Sequence, residues 1–268
     1  GNGSNIIGIP SLGNGEYVKV DKIGNPNIGW EIAYKQNYGV DLTIFGDRLK
    51  LSFDYFRENR ENILISRSTV PEIQGRPTAT LPKVNMGKVD NQGFEIDANW
   101  FQRIDKNFNF SINANFAYNQ NKVKEIDEVK LGDDYAYQYR NTGYSLDQCW
   151  GYKIDYSNGN GYINTREELE RAKAMYEIGT PRLGDFLYQD VNNDGKINQK
   201  DLAPVLYSPI PRITYGFGAN IKAYDFDLSA QFQGIGKVSM AYSGAGVNEL
   251  GLSGFYTEYH LNAWTEDR

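Results

Sequence analysis

Hydrophobic and polar residues alternate strictly in six stretches of the chain. The stretches cover residues 38–44, 49–55, 94–100, 108–116, 213–222 and 226–233. Successive side chains of a β-strand point to opposite faces, so a period of two predicts six strands, each with one apolar and one polar face. A length of about ten residues is what a tilted strand needs to cross a bilayer.

The connections between these stretches alternate between short and long. Tight turns are predicted at residues 46–48, 104–107 and 223–225, whereas long segments run over about 60–91, about 120–210 and from the last strand to Arg268. Short turns at one end and long loops at the other are typical of outer-membrane barrels. The predicted fold is therefore all-β, an antiparallel transmembrane β-barrel segment that is incomplete as a barrel.

Aromatic residues stand near the predicted strand ends, where a membrane girdle would lie. Trp100, Phe108 and Phe226 are the examples. Alternation alone does not exclude a soluble sandwich, in which the same apolar face would form the core. An exported, soluble, carbohydrate-binding β-sandwich with a structural calcium therefore remains the alternative, although it does not explain the loop asymmetry.

The amino-acid composition excludes some classes of protein. The chain has 268 residues, 40% of them hydrophobic, and a formal net charge of -6. Mean hydropathy is -0.59 and no run of eighteen apolar residues occurs, so a transmembrane helix is not expected. The aromatic content of 14% favours β-structure with an interfacial belt or a sugar-contacting surface. The acidic balance argues against a nucleic-acid partner.

Catalytic chemistry is not indicated. Cys149 and His260 are the single cysteine and histidine, and neither stands in a recognisable nucleophile–base motif. A glycoside hydrolase would need two paired carboxylates, and no spacing among the 34 acidic residues singles out such a pair. The sequence therefore predicts a protein that is not an enzyme.

The segment from about 120 to 210 carries its own predicted helix. Thr165 and Glu168 form a capping box that opens it. Leu169, Ala172 and Tyr176 give the helix one apolar face through about Glu177, and residues 179–181 end it. The segment is predicted to be a long extracellular loop with internal structure.

A calcium-binding pattern follows this helix at residues 190–201. Oxygen-bearing side chains fall at loop positions one, three, five, nine and twelve, and Gly195 takes the sharp turn at position six. Position seven needs only a backbone carbonyl. The predicted ligands of a structural Ca²⁺ are Asp190, Asn192, Asp194, Lys196, Asn198 and Asp201.

Two features of the sequence leave room for an alternative to calcium binding. The acid at position twelve is aspartate rather than the usual glutamate, which shortens its reach. Asparagine and aspartate also form Asx-turns without any metal, so a metal-free turn cluster is the alternative. A second copy of the loop, as a dockerin-like module would need, is not found.

Several motifs, in order along the chain, resemble a known family. They are the run of residues 25–31 before the first strand, Phe53–Phe56 with Asn62–Leu64, Asn91–Glu95, the stretch from Gly184 to the calcium-like loop, and Pro209–Gly236. Together they resemble the late barrel strands of SusC/RagA-type TonB-dependent transporters. The resemblance covers nearly the whole chain.

The resemblance implies a Gram-negative outer-membrane transporter of Bacteroidetes type, with a plugged barrel of about 22 strands. Such proteins import oligosaccharides or peptides with TonB energy, beneath a SusD-like surface lipoprotein. The chain, residues 1–268, would be a partial barrel, and its loop-like termini, Gly1–Asn5 and Trp264–Arg268, are expected to be cuts inside a longer protein. The plug and the TonB contact would lie elsewhere in that protein. The family does not fix the substrate.

The polar faces of the strands would then line the lumen or meet the plug. The inward residues singled out on this basis are Asp54, Asp97, Asn113, Asn115, Asp227 and Gln231. Because barrel interiors are polar by default, plain solvation of the lumen is the ordinary explanation for each of them.

Overall fold

The computed structural model describes residues 4–6, 18–20, 23–70, 80–137, 140–240 and 258–265. Its strands are β1 Ser4–Ile6, β2 Val18–Val20, β3 Ile32–Ile44, β4 Leu49–Ile65, β5 Val84–Arg103, β6 Phe108–Glu125, β7 Ile213–Ala223 and β8 Phe226–Gly236. The same residues contain the helix α1 Arg166–Met175 and the 3-10 helices Gln199–Asp201 and Glu258–Asn262. None of these helices is long and apolar enough to cross a membrane.

Six strands form one antiparallel sheet in the order β3-β4-β5-β6-β7-β8. Each of the six predicted stretches lies in one of these strands, so the all-β, antiparallel prediction is confirmed. Within the described residues the sheet is open, with β3 and β8 at its edges, as expected of an incomplete barrel. The short strands β1 and β2 pair separately. Ser4 and Asn5 therefore lie in a strand, where the sequence predicted a loop.

The strands are longer than the alternation indicates. The predicted segment 60–91 is wrong at both ends, because β4 continues to Ile65 and β5 already begins at Val84. Around Glu58–Arg60 both faces are polar, which hides the period of two. A register shift lies between Arg60 and Ile63, where Asn62 has a φ of 58°. Beyond this shift, the alternation of β4 side chains between the two faces is reversed. β6 likewise runs to Glu125, past the predicted boundary near 120.

The apolar face of the sheet is exposed. Leu42, Phe232 and Phe226 are 50%, 62% and 79% accessible. Among the described residues, the buried hydrophobic side chains are Val123 in the sheet and Ile163, Ala172, Leu187, Ile197 and Ala203 in the connection between β6 and β7. A sheet of this size with almost no core of its own has its apolar face turned outward.

The chain divides into two compact units. The sheet unit comprises residues 1–129, 140–146 and 212–236, and the loop unit comprises residues 130–139, 147–211 and 237–268. The loop unit has a small core in which Ile163, Ala172 and Leu187 are packed by Leu169 and Tyr176. The apolar helix face predicted from the sequence is therefore confirmed.

The predicted start of α1 is confirmed, but its predicted end is not. Thr165 accepts a hydrogen bond from the Glu168 backbone, and the Glu168 carboxylate accepts from the Thr165 N–H, which completes the capping box. The helix ends at Met175 rather than near Glu177. The reason is a strand-like pairing of this segment with Ile197, whose N–H donates to the Met175 carbonyl at 2.8 Å.

We expect the helix to lose stability in acid through Glu168. Burial opposes ionisation of this carboxyl, but hydrogen bonds from Asn158 and from the Asn164 and Thr165 backbones outweigh it, so its pKa is lowered. A lowered pKa in the folded state stabilises the protein above the ordinary value of 4.5, and this contribution is lost as the pH falls through the lowered pKa. Hydrogen exchange of residues 163–176 should therefore accelerate in acid, beyond its intrinsic pH dependence.

Two variants isolate this effect. Glu168→Ala should cost about 1 kcal/mol of local stability at pH 7, the usual effect of removing a helix cap, and should flatten the acid response. Glu167→Gln, in the same helix turn, is the matched control, since the Glu167 side chain is exposed. Equal acid sensitivity in the Glu168 variant and the wild type would contradict the assignment.

Candidate functional site

The polar face of the sheet brings most of the predicted inward residues into two register rows. Ser52, Asp97, Asn115, Gly216 and Gln233 follow one another across strands β4 to β8. The next row consists of Lys50, Asn99, Asn113, Gly218 and Gln231. Asp227 lies apart at the β7–β8 turn, where Lys222 is 4.0 Å away.

Two glycines of β7 let asparagines of β6 lie flat against the sheet. A Cβ at Gly216 would stand 2.9 Å from Oδ1 of Asn115, and one at Gly218 would stand 2.5 Å from Oδ1 of Asn113. Any side chain at these glycines would displace the asparagine. The polar face is therefore lined here by amides held close to the backbone.

A shallow depression of about 530 Å³ opens on this face. Asn115, Gln231 and Gln233 contribute amides to its lining, and Thr214 contributes a hydroxyl. Amides both donate and accept hydrogen bonds, which suits ligands rich in hydroxyl or peptide groups. Among the residues that the structure describes, no charged side chain lines this depression.

Carboxylates gather on the neighbouring part of the polar face. Asp54 lies opposite Glu95 in the register, and Asp41 and Asp97 flank Ser52 in the adjacent row. Ser52, Asp54, Glu95 and Asp97 line a second depression of about 230 Å³. The sequence-based selection missed Glu95, although its odd position in the alternating stretch already places it on the same face as Asp97.

On β4, β5 and β6 the apolar face ends along one register row. The uppermost apolar row is Tyr38, Tyr55, Phe94 and Tyr118, and the next row is Gln36, Arg57, Gln92 and Gln120. The rings of Phe94 and Tyr118 are 5.8 Å apart, and the Tyr118 hydroxyl donates to Gln120 at 2.9 Å. An aromatic row directly below a polar row is the side-chain order of a membrane–water interface.

The calcium-like loop brings the side chains of positions one, three and five together. The Asp194 N–H lies 3.2 Å from Oδ1 of Asp190 and 3.0 Å from Oδ1 of Asn192. Nδ2 of Asn192 donates to Oδ2 of Asp194 at 3.0 Å. The Gly195 N–H also donates to Asp190, and Gly195 has a φ of 84°, the left-handed turn that position six requires.

The residues at positions nine and twelve have other partners. Asn198 Oδ1 accepts from the Lys200 backbone, and its Nδ2 donates to Glu177. Asp201 is fully buried, and its carboxylate accepts from the backbone N–H groups of Val191 and Asn198, both at 2.9 Å. The Lys196 ammonium pairs with Glu177.

These contacts are compatible with both readings of the loop. Asn192, Asp194 and Asn198 each accept from the backbone two residues later, which is the metal-free Asx-turn pattern. In the described residues no group of three or more His, Cys, Asp and Glu side chains is arranged to hold a metal ion. The oxygen donor set still suits a hard cation, since a carboxylate oxygen that accepts one N–H retains a lone pair. Calcium therefore stays a prediction.

Two tyrosines, Tyr176 and Tyr188, contact each other in the segment that leads into this loop. The Tyr176 hydroxyl donates to the Phe186 carbonyl at 3.0 Å and accepts from the Tyr188 N–H at 2.7 Å. Burial raises the pKa of both Tyr176 and Tyr188. These contacts tie the end of α1 to the segment that enters the loop. The helical period predicted Tyr176 on the apolar face of α1, but it carries no signal for the hydrogen bonds of its hydroxyl to residues 186 and 188.

A family model described as TonB dependent receptor-like, beta-barrel matches residues 2–237. TonB-dependent receptor P3 of Formosa agariphila is 26% identical in an alignment of 270 positions that covers 92% of this chain and 24% of that protein. TonB-dependent receptor SusC of Bacteroides thetaiotaomicron is 23% identical over 78% of this chain and 20% of that protein. The chain thus spans about a quarter of the length of the first of these relatives.

Solved structures share the fold. A chain of the RagAB peptide transporter aligns over 100% of this chain and 28% of its own length, with a TM-score of 0.64 and 19% identity. The RagAB peptide importer in its open-open state aligns over 99% of this chain and 27% of its own length, with a TM-score of 0.64 and 20% identity. At these identities the likeness concerns the fold alone.

Proposed function

Because the chain belongs to the TonB-dependent receptor-like β-barrel family, we propose that its sheet is part of the wall of an outer-membrane importer. The protein would take up oligosaccharides or peptides across the outer membrane of a Gram-negative bacterium, with energy from TonB and a SusD-like surface lipoprotein as partner. The family is one of receptors and transporters, not of enzymes.

The exposed apolar face of the sheet carries this proposal. Aliphatic and aromatic side chains cover that face from the row of Phe108 and Phe226 to the row of Tyr38 and Tyr118. A soluble β-sandwich would bury this face against a second sheet. Lipid is the occupant that we propose for this outward face, and the open sheet with an exposed apolar face supports it over the sandwich alternative.

The polar face supports uptake of a polar solute. Its amide-lined depression offers hydrogen bonds without a fixed charge, which suits sugars and peptide backbones alike. A solved structure with the same fold is a peptide transporter, whose solute falls within this range. The connection between β6 and β7 would be an extracellular loop, in agreement with its length and the short turns at the other strand ends.

Fractionation of the full-length protein tests the proposal. We expect recovery in the outer-membrane fraction, dependence on detergent for solubility, and co-purification of a surface lipoprotein encoded by the same bacterium. A full-length protein that folds and stays soluble without detergent would contradict the membrane role. Outer-membrane recovery with no lipoprotein under mild extraction would contradict the partner.

We also propose that Ca²⁺ binds the loop at residues 190–201 and stabilises the loop unit. A ligand that binds only the folded state stabilises it by about 2.7 kcal/mol at a concentration one hundred times its Kd. Addition of CaCl₂ to chelator-treated full-length protein should therefore slow hydrogen exchange in residues 187–203. Calorimetric titration should detect binding of the ion.

The substitution Asp194→Asn tests the contribution of the negative charge while it preserves the turn. The asparagine can still accept from the Lys196 N–H, but it removes one negative charge, so we expect at least a tenfold weaker Ca²⁺ affinity, about 1.4 kcal/mol. Glu167→Gln, outside the loop, should bind like the wild type. Identical exchange with calcium and with chelator in the wild-type protein would favour the metal-free turn cluster.

A further inference from the structure

A cluster of cations stands on the outward side of the sheet, immediately beyond its apolar band. Lys124 pairs with the Asp90 carboxylate, Lys122 lies opposite Asp90 in the register, and Arg57 lies on the neighbouring strand β4. On β4, Arg57 is the first residue after Tyr55 on the same face. On β6, Lys122 is the second residue after Tyr118 on the same face. No register shift lies between the apolar band and Arg57 or Lys122, so both side chains point to the same outward face as the band.

Hydrogen bonds organise the cluster across three strands. Nε of Arg57 donates to Oδ1 of Asn59 at 3.2 Å, and Nδ2 of Asn59 donates to Oδ1 of Asp90 at 3.0 Å. The other Asp90 oxygen lies 3.1 Å from Nζ of Lys124. Lys122 is directly opposite Asp90 in the register. The Asp90 carboxylate therefore holds Lys124 directly and Arg57 through Asn59, and these two cations, Lys122 and Asp90 together carry a net charge of +2.

The cations keep donors available for another ligand. In the described part of the chain neither Arg57 nor Lys122 takes part in an ion pair with a carboxylate, and both side chains are exposed. The Arg57 guanidinium uses Nε toward Asn59, which leaves its two Nη groups for a bidentate contact. Phosphate oxygens match this fork of donors, whereas Lys122 and Lys124 supply point charges.

The aromatic row below the cations adds an apolar half to the surface. The Phe94 ring lies 5.8 Å from those of Phe116 and Tyr118 and 6.3 Å from that of Phe53. A ligand on this surface would meet hydrocarbon-compatible rings at one end and cations at the other. That polarity is the polarity of a phosphorylated lipid in a bilayer, with its chains beside the strands and its phosphate at the interface.

We infer that Arg57, Lys122 and Lys124 form a binding site for the phosphate group of a membrane lipid whose chains cover the adjacent aromatic face. The inference rests on the proposed membrane role of the sheet, because only an inserted sheet presents this boundary to lipid. Asp90 and Asn59 are positioning residues that hold the cations. Bound lipid would fix the height of the sheet relative to the membrane surface.

Lipid retention by the purified full-length protein in detergent tests the site. The probes are a phosphatidic acid, a diacylglycerol with the same chains, and inorganic phosphate, each followed by native mass spectrometry. We expect the wild type to retain phosphatidic acid and not diacylglycerol. Inorganic phosphate at the same concentration should not displace the bound phosphatidic acid. The double variant Arg57→Gln/Lys122→Gln should bind phosphatidic acid about 30-fold more weakly, as loss of two interfacial cations implies.

The matched control makes the same charge change at the opposite strand ends. Arg48→Gln/Lys106→Gln alters one arginine and one lysine in the short turns and should retain lipid like the wild type. Equal retention by both double variants, or equal competition by inorganic phosphate, would overturn the lipid site. Outer-membrane fractionation of each variant keeps the two proposals distinct: a membrane-inserted protein without this selectivity refutes the lipid site alone, whereas a soluble protein refutes the membrane role.

Discussion

Lysine in place of Leu42 should destabilise the protein in lipid vesicles by about 2–4 kcal/mol. Leu42 belongs to the outward row of Leu51, Ala98, Ala114, Phe217 and Phe232, midway between the aromatic rows that bound the apolar face. A lysine that faces lipid near the bilayer midplane costs about 2–4 kcal/mol. We expect a loss of this size in urea titrations of the full-length protein refolded in vesicles.

The neighbouring residue provides the control. Thr43 lies on the polar face of the same strand, so Thr43→Lys should change stability by roughly 0.5 kcal/mol or less. Leu42 is half exposed, and a lysine there would be equally harmless in a soluble sheet. Similar effects of the two substitutions would therefore show that the apolar face does not meet lipid.

Alanine at position 201 should unfold the calcium-like loop even when calcium is absent. The buried Asp201 carboxylate accepts from the N–H groups of Val191 and Asn198 at 2.9 Å and of Asn192 at 3.4 Å. A buried N–H without a partner costs about 1–3 kcal/mol, so we expect Asp201→Ala to destabilise the loop unit by about 3 kcal/mol. Hydrogen exchange of residues 187–203 in excess chelator measures this loss.

Asp194→Ala is the appropriate comparison for this effect. Asp194 is an exposed carboxylate of the same loop, and its Oδ1 accepts a single backbone N–H, from Lys196. Without metal we expect the Asp194 variant to lose about 1 kcal/mol, as for an ordinary hydrogen bond. If both variants lost the same stability in chelator, Asp201 would not be the structural cap of the loop.

The sheet could be predicted from the sequence wherever its two faces differ in chemistry. Residues 38–44 and 108–116 alternate cleanly, and both lie in the strands that their pattern indicates. The outer part of β4 could not be predicted, because Arg57, Glu58 and Asn59 are polar on both faces and the bulge near Asn62 reverses the parity. Those residues lie in a strand because β3 and β5 pair with them, and this pairing depends on the tertiary structure and not on the local sequence.

The loop unit shows a similar division. The Thr165–Glu168 capping box is a local signal that follows from four consecutive residues, and the structure contains it. The role of Asp201 is not local. Its place in the twelve-residue pattern predicted a calcium ligand, whereas the structure also uses its carboxylate to cap the chain ten residues earlier at Val191. The spacing of ligand positions does not reveal burial.

The bridge between Gly151 and Ala203 has a consequence for the order of folding. Their backbones exchange hydrogen bonds of 3.0 and 2.9 Å, so residues 152–202 form a loop that is closed at this bridge. β6 and β7 must find each other across the connection from residue 126 to residue 212. If the loop unit folds first, this bridge shortens the effective tether to roughly half or less, which lowers the entropic cost of closure by about 0.6 kcal/mol or more. Nucleation of the bridge would thus favour β6–β7 pairing, the one long-range step in a sheet otherwise assembled from sequence neighbours.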